Sequence, residues 1–185
     1  MEYFLIALGV IVVIVIIWAI SAYNGLVKLR NLVQEAWHQI DTELQRRHDL
    51  IPNLVETVKG YAAHEKAVFE EVTEARSALL RASTPGEAGA ANEAVTAALG
   101  KLFAVAEAYP VLRASENFQQ LQLELATTED RIAAGRRFYN SNVRDLNTRV
   151  ESFPSNLLAN AFHFTKAEYF EVEDPAVREA PTVTF

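Results

Sequence analysis

The sequence predicts an all-α fold, with an N-terminal transmembrane helix continuing into an antiparallel four-helix bundle. Three observations carry this reading. Of the first 20 residues, 18 are apolar. Beyond them, apolar residues recur at steps of three and four almost to the end of the chain. No segment alternates apolar and polar residues at the period of a strand.

The first element is the apolar run. Residues 3–27 contain no charge, and Leu, Ile and Val dominate its centre. At about 1.5 Å per residue, a helix over residues 3–23 rises about 30 Å, the thickness of a bilayer's hydrocarbon core. Tyr3 and Phe4 at one end, and Trp18 and Tyr23 at the other, fit the aromatic belts of the two interfaces. A cleaved signal peptide competes, with Ala19-Ile20-Ser21 as a weak cleavage site. The run is longer than the roughly 7–15 residues of a signal core, and no basic residue precedes it. Lys28, Arg30, Arg46 and Arg47 follow closely, and basic flanks stay in the cytoplasm. The expected topology is therefore N-terminus out with the C-terminal domain cytoplasmic.

Leu26, Val33, Trp37, Ile40 and Leu44 keep helical spacing, so the membrane helix is expected to run on into the domain. Asp49 and Pro52 should interrupt it, since proline removes a backbone donor and disfavours helix at the residue before it. A second helix then carries Leu54, Val58, Phe69, Val72 and Leu79 as far as Ser83. There Ser-Thr-Pro-Gly is a strong breaker. A third, Ala-rich helix is expected over residues 87–108, stopped by Tyr109-Pro110. The fourth starts at Ser115 as N-cap and places Phe118, Leu121, Leu125, Thr128, Ile132, Gly135 and Tyr139 in strict steps of three and four. Small Thr128 and Gly135 suit close helix approach, and Phe153-Pro154 marks the end. The expected domains are residues 1–23 as the membrane helix, 24–171 as the bundle and 172–185 as a polar, disordered tail.

Composition limits the function classes. The chain has 185 residues, 50% hydrophobic and 22% charged, with no Cys and a net charge of −7. Without cysteine there is no disulfide framework, Cys-ligated metal or thiol nucleophile. The acidic balance argues against a nucleic-acid partner. Set aside the first segment, and the rest has the apolar content of an ordinary soluble domain.

Two sequence blocks add a resemblance. The first runs from Tyr23-Asn24 through Arg46-Arg47-His48-Asp49-Leu50-Ile51-Pro52-Asn53-Leu54-Val55 to Gly60-Tyr61 and His64-Glu65. The second comprises Tyr109-Pro110, Glu116-Asn117-Phe118, Glu129-Asp130-Arg131-Ile132, Tyr139-Asn140 and Phe153-Pro154-Ser155-Asn156-Leu157. Together they resemble the LemA family of bacterial membrane proteins over roughly residues 20–171. Ser115 stands where that family more often has Asn, and Leu146 where it more often has an aromatic. The resemblance implies a single-pass membrane protein with a cytoplasmic or periplasmic helical bundle and no established enzymatic activity, and the expected location is the bacterial inner membrane. The blocks are also similar to those of a magnetosome protein, which points to membrane organisation.

Candidate sites were weighed against structural roles. Arg46-Arg47-His48-Asp49 contains a base, a carboxylate and two cations, but sequential neighbours on a helix diverge and a catalytic base needs an oriented partner and a pocket. The structural reading makes Asp49 the cap of the second helix, with the basic residues at the end of the first. His38, His48, His64 and His163 include no pair at the spacing of helical metal ligands and do not supply Glu-x-x-His on each of two helices, so no metal, cofactor or catalytic residue is expected. Arg30 and Arg47 fall at apolar phase, as does Asn142. Buried arginines should find carboxylates, with Glu65, Glu124, Glu129 and Asp130 as candidates.

The segment from Phe153 to Phe170 is rich in aromatics and is expected to fold back over the bundle or to make contacts. Candidate interface or lipid-contact residues are Arg30, Arg46, Arg47, His48, Asp49, Phe162 and Phe164. The expected function is a membrane-anchored homo-oligomer that scaffolds or shapes the bilayer. The alternative is an adaptor that recruits an unidentified protein partner.

Overall fold

A computed structural model describes residues 1–170, and the expected disordered tail lies outside the described residues. Six helices follow one another: α1 (Glu2–Lys59), α2 (Lys66–Arg81), α3 (Pro85–Glu107), α4 (Pro110–Arg113), α5 (Glu116–Glu151) and α6 (Ser155–Ala161). No strand occurs among the described residues, so the fold class is all-α as expected. The apolar segment and the charged helix after it form one continuous α1.

The break expected at Asp49 and Pro52 is absent, and Pro52 lies inside α1. Proline cannot donate to the carbonyl four residues earlier, which here belongs to His48. Arg76 of α2 supplies the missing donor, its Nε lying 3.1 Å from the His48 carbonyl oxygen. With that acceptor satisfied, α1 continues to Lys59, and the turn comes instead at Gly60 and the residues up to Glu65. Asp49 is therefore not a helix cap.

The later boundaries follow their sequence signals closely. Thr84 caps α3, its hydroxyl accepting from the Glu87 amide at 3.3 Å. The Glu87 carboxylate reaches back to the Ser83 amide and hydroxyl, both at 2.8 Å. These bonds, the amide first, hold the Glu87 carboxyl below its ordinary value. The helix starts at Pro85, two residues before the expected Glu87, because the first turn needs no amide donor there. Pro110 opens the short α4, and α5 ends just before Phe153-Pro154.

The chain divides into two compact units, and α1 and α5 each contribute to both. In the first unit, residues 1–40 and 134–168, contacts step in opposite directions along α1 and α5. Gly135 meets Ile40, Tyr139 lies beside Trp37 with ring centroids 5.8 Å apart, and Arg149 lies near Gly25. The two helices are antiparallel here, around Leu26, Val33, Ala36, Ile40, Val143 and Leu146.

Gly135 is the closest approach, since a Cβ there would stand 2.9 Å from Cγ1 of Ile40, a buried side chain with no room to yield. Gly100 in α3 has nothing within 4 Å of that position. Gly100→Ala should therefore raise stability by about 0.5–1 kcal/mol through helix propensity. Gly135→Ala should lower it, because overpacking of about 1–3 kcal/mol outweighs the same propensity gain. Thermal unfolding of the two variants in detergent checks the opposite signs.

In the second unit, residues 41–133 with Tyr169 and Phe170, the contacts between α1 and α5 also run antiparallel. Arg131 reaches Glu43 at 3.1 Å, and Asn117 reaches Thr57 at 3.3 Å further along. The core gathers Leu44, Ile51, Leu54, Val58, Phe69, Val72, Val95, Leu99, Leu102, Phe118, Leu121, Leu125 and Ile132. These include most of the positions that the sequence periodicity selects.

Candidate functional site

Arg47 lies at the centre of the charged block and is 3% exposed. Its Nη1 donates to the Glu129 carboxylate of α5 and to Asn92 Oδ1 of α3. Its Nη2 donates to Thr96 Oγ1 at 3.0 Å, and that hydroxyl lies 3.0 Å from the Asn92 carbonyl. One guanidinium thus joins three helices of the second unit, its fixed fork of donors suiting acceptors on separate backbones. Burial pulls the Arg47 pKa below its ordinary value, while the charge and hydrogen bond of Glu129 push it back up. The expected pairing of Arg47 with Glu129 is present. Its partners Asn92 and Thr96 were not expected, although Asn92 sits at apolar phase between Ala88 and Val95.

The neighbouring residues separate. Arg46 is exposed and only loosely paired with Glu124 at 3.7 Å, a contact of little energetic weight. His48 is buried, with Nδ1 3.0 Å from the exposed Asp49 carboxylate. That hydrogen bond, then those from Gln45 and the charges of His48 and Arg76, hold the Asp49 carboxyl below its ordinary value against a smaller desolvation cost. Because a carboxylate only accepts, Nδ1 is the donor in this contact. His48 Nε2 is buried and makes no hydrogen bond within the described residues. No group of three or more His, Asp and Glu side chains able to hold a metal occurs among the described residues.

The aromatic segment as far as Glu168 belongs to the first unit. After α6, His163 adopts φ 56°, and the Phe164 amide donates back to the Ala159 carbonyl at 2.9 Å. This left-handed helix ending turns Phe164 inward. Phe164 is buried, edge-on to Tyr23 at 5.8 Å and beneath the Arg30 guanidinium at 5.1 Å. Arg30 is exposed over an aromatic face, and among the described residues the expected buried carboxylate pair is not formed. Phe162 stays exposed, its ring 4.8 Å from Tyr23.

The following residues are fastened to α5. Asn147 accepts from the Ala167 amide at 2.8 Å and donates to the Ala167 carbonyl at 3.0 Å. The Tyr139 hydroxyl donates to the Glu168 carbonyl at 2.8 Å. The segment does fold back on its own chain. Phe153 and Leu157, which the candidate list omitted, are instead highly exposed.

Tyr139 makes this clasp pH-sensitive. Burial, and secondarily the Glu168 charge, push its pKa up to about 12 from an ordinary 10.0. The neutral phenol is the form the fold favours, so its stabilisation is complete below pH 10 and lost as the pH rises through about 12. Alkaline unfolding should therefore steepen across that window, and Tyr139→Phe should remove this contribution to the slope. Melting temperature against pH is the readout.

The sequence profile described as the LemA family matches residues 36–185. The chain belongs to the LemA family. Among LemA relatives, the protein named Magnetosome protein MamQ 2 of Paramagnetospirillum magneticum is 29% identical, over 88% of this chain and 68% of its own length. Magnetosome protein MamQ of Magnetospirillum gryphiswaldense is 27% identical over the same shares. Protein LemA of Metamycoplasma hominis is 26% identical over 82% of this chain and 69% of its own length. None of these names denotes a reaction.

Proposed function

We propose that this chain is a membrane-anchored helical protein that self-associates and scaffolds or shapes the bilayer, without catalytic activity. The observation that carries it is α1, whose apolar segment is bare of protein cover and continues without a break into the charged, core-forming part of the helix. An exposed apolar surface of this length is stable only in lipid. The names of the magnetosome relatives support a role at a membrane. On this reading the Arg47 clamp stiffens the second unit, and neither Arg47 nor His48 performs chemistry.

Reconstitution into liposomes followed by cryo-electron tomography tests this directly. Clustered copies with locally altered curvature are expected. Evenly dispersed single copies in undistorted vesicles would contradict the proposal. The proposed topology places residue 28 onward in the cytoplasm of a bacterial inner membrane. A single Lys28→Cys that reacts from the outside with an impermeant maleimide would reverse it.

The adaptor reading draws on exposed Val111 and Leu123, large apolar side chains in the second unit. It predicts full-length chains that remain single in the membrane yet retain a specific protein through that surface.

A further inference from the structure

The amphipathic order of α6 is inverted. Its buried positions hold the small residues Ser155 and Ala159, while large apolar side chains face away from the protein. Phe153 is 79% exposed, Leu157 60% and Phe162 56%. Phe153 lies in the turn that leads into α6, Leu157 within the helix and Phe162 at its C-terminal end. Across residues 152–165 there is no Asp, Glu, Lys or Arg. A surface helix that turns its bulk outward, in a stretch without charge, is poorly suited to water.

Its location identifies what covers it. Tyr23 closes the apolar span of α1, and the Phe162 and Phe164 rings both lie against it. Arg149, near the end of α5, lies beside Gly25. The descending α5 therefore ends near the level where the apolar segment of α1 ends, and α6 follows it there. The left-handed turn at His163 seats Phe164 inward and leaves Phe162 outward. Through Phe162 the outward side chains adjoin Tyr23, at the end of an apolar segment already bare of protein cover, where the bilayer interface would lie.

We propose that residues 152–154 and α6 form a second membrane contact, lying in the interfacial layer of the bilayer that α1 spans. Phe153, Leu157 and Phe162 seat at the boundary between headgroups and acyl chains, as an in-plane amphipathic segment does. With two contacts side by side, α1 is held against tilting freely, and the wedge on one side displaces lipid in one leaflet. This rests on the membrane-anchor part of the proposed function and is independent of self-association.

The chain contains no cysteine, so single nitroxide labels can be placed without background. Full-length Phe153→Cys and Leu157→Cys are labelled in nanodiscs of phosphatidylethanolamine and phosphatidylglycerol. Collision with oxygen is compared with collision with a water-soluble nickel chelate. Ile14→Cys provides the hydrocarbon reference and Arg137→Cys, exposed on α5, the water reference. The ratio of oxygen to nickel collisions at 153 and 157 should exceed that at 137 several-fold and remain below that at 14. Water-like ratios at 153 and 157, with position 14 lipid-like, would overturn the second contact and leave the anchor standing. A water-like position 14 would overturn both. Shielding of 153 and 157 from both probes, with dipolar broadening between labels, would assign the patch to a second copy instead.

Discussion

Glu129→Ala is expected to destabilise the protein more than removal of its partner Arg47, although the two belong to the same ion pair. The reason is unequal burial. Arg47 is 3% exposed and Glu129 37%. Deleting the carboxylate leaves a guanidinium without a counter-charge in a site where its Nε already lacks an acceptor. Stranding a buried charge in this way costs about 3–5 kcal/mol. Arg47→Met leaves Glu129 able to hydrate, and the loss is then chiefly the unpaired Asn92 and Thr96 acceptors, about 1–3 kcal/mol. Arg47→Lys should not restore stability, because one ammonium group cannot serve acceptors on α3 and α5 with the fixed fork of a guanidinium. Thermal and urea unfolding of the full-length chain in detergent gives the order. A more damaging Arg47→Met than Glu129→Ala would mean that the cluster is not held together by burial of the cation.

Phe164→Ala should be of similar size, about 3–5 kcal/mol, the usual cost of emptying a buried phenylalanine site. The ring is enclosed between Tyr23 and Arg30, and its removal also frees the residues fastened by Asn147 and Tyr139. Phe162→Ala, two residues earlier, should cost only the edge contact with Tyr23, about 0.5–1.5 kcal/mol. The comparison separates a packing residue from a surface residue of the same type. If both variants melt alike, the inward turn at His163 does not exist in solution.

The contrast between these two phenylalanines also marks where sequence reading stops. Helical class, the continuity of α1 through its apolar segment, and the close approach at Gly135 follow from spacing alone, because apolar periodicity and small residues report local geometry. The identity of the Arg47 carboxylate was one of four candidates, since charge cost demands a partner without saying which helix supplies it. Pro52 misled because its local effect is real: the His48 carbonyl does lose its helical donor. What rescues it is Arg76, 28 residues away in sequence. Arg30 misled differently, since helical phase located it beside a core position but could not reveal that Phe164 would offer an aromatic face. Phe153 and Leu157 were passed over because an apolar residue in sequence looks the same whether it faces inward or outward.

The central proposal is that this membrane-anchored chain works as an assembly. It is tested most directly by counting chains in a bilayer. One dye is attached at Arg137→Cys in the otherwise cysteine-free, full-length protein, which is extracted with its surrounding lipid, and photobleaching steps are counted particle by particle. The proposal predicts particles with several steps at dilutions where chance co-capture is negligible. Particles that bleach in a single step at every density would contradict it.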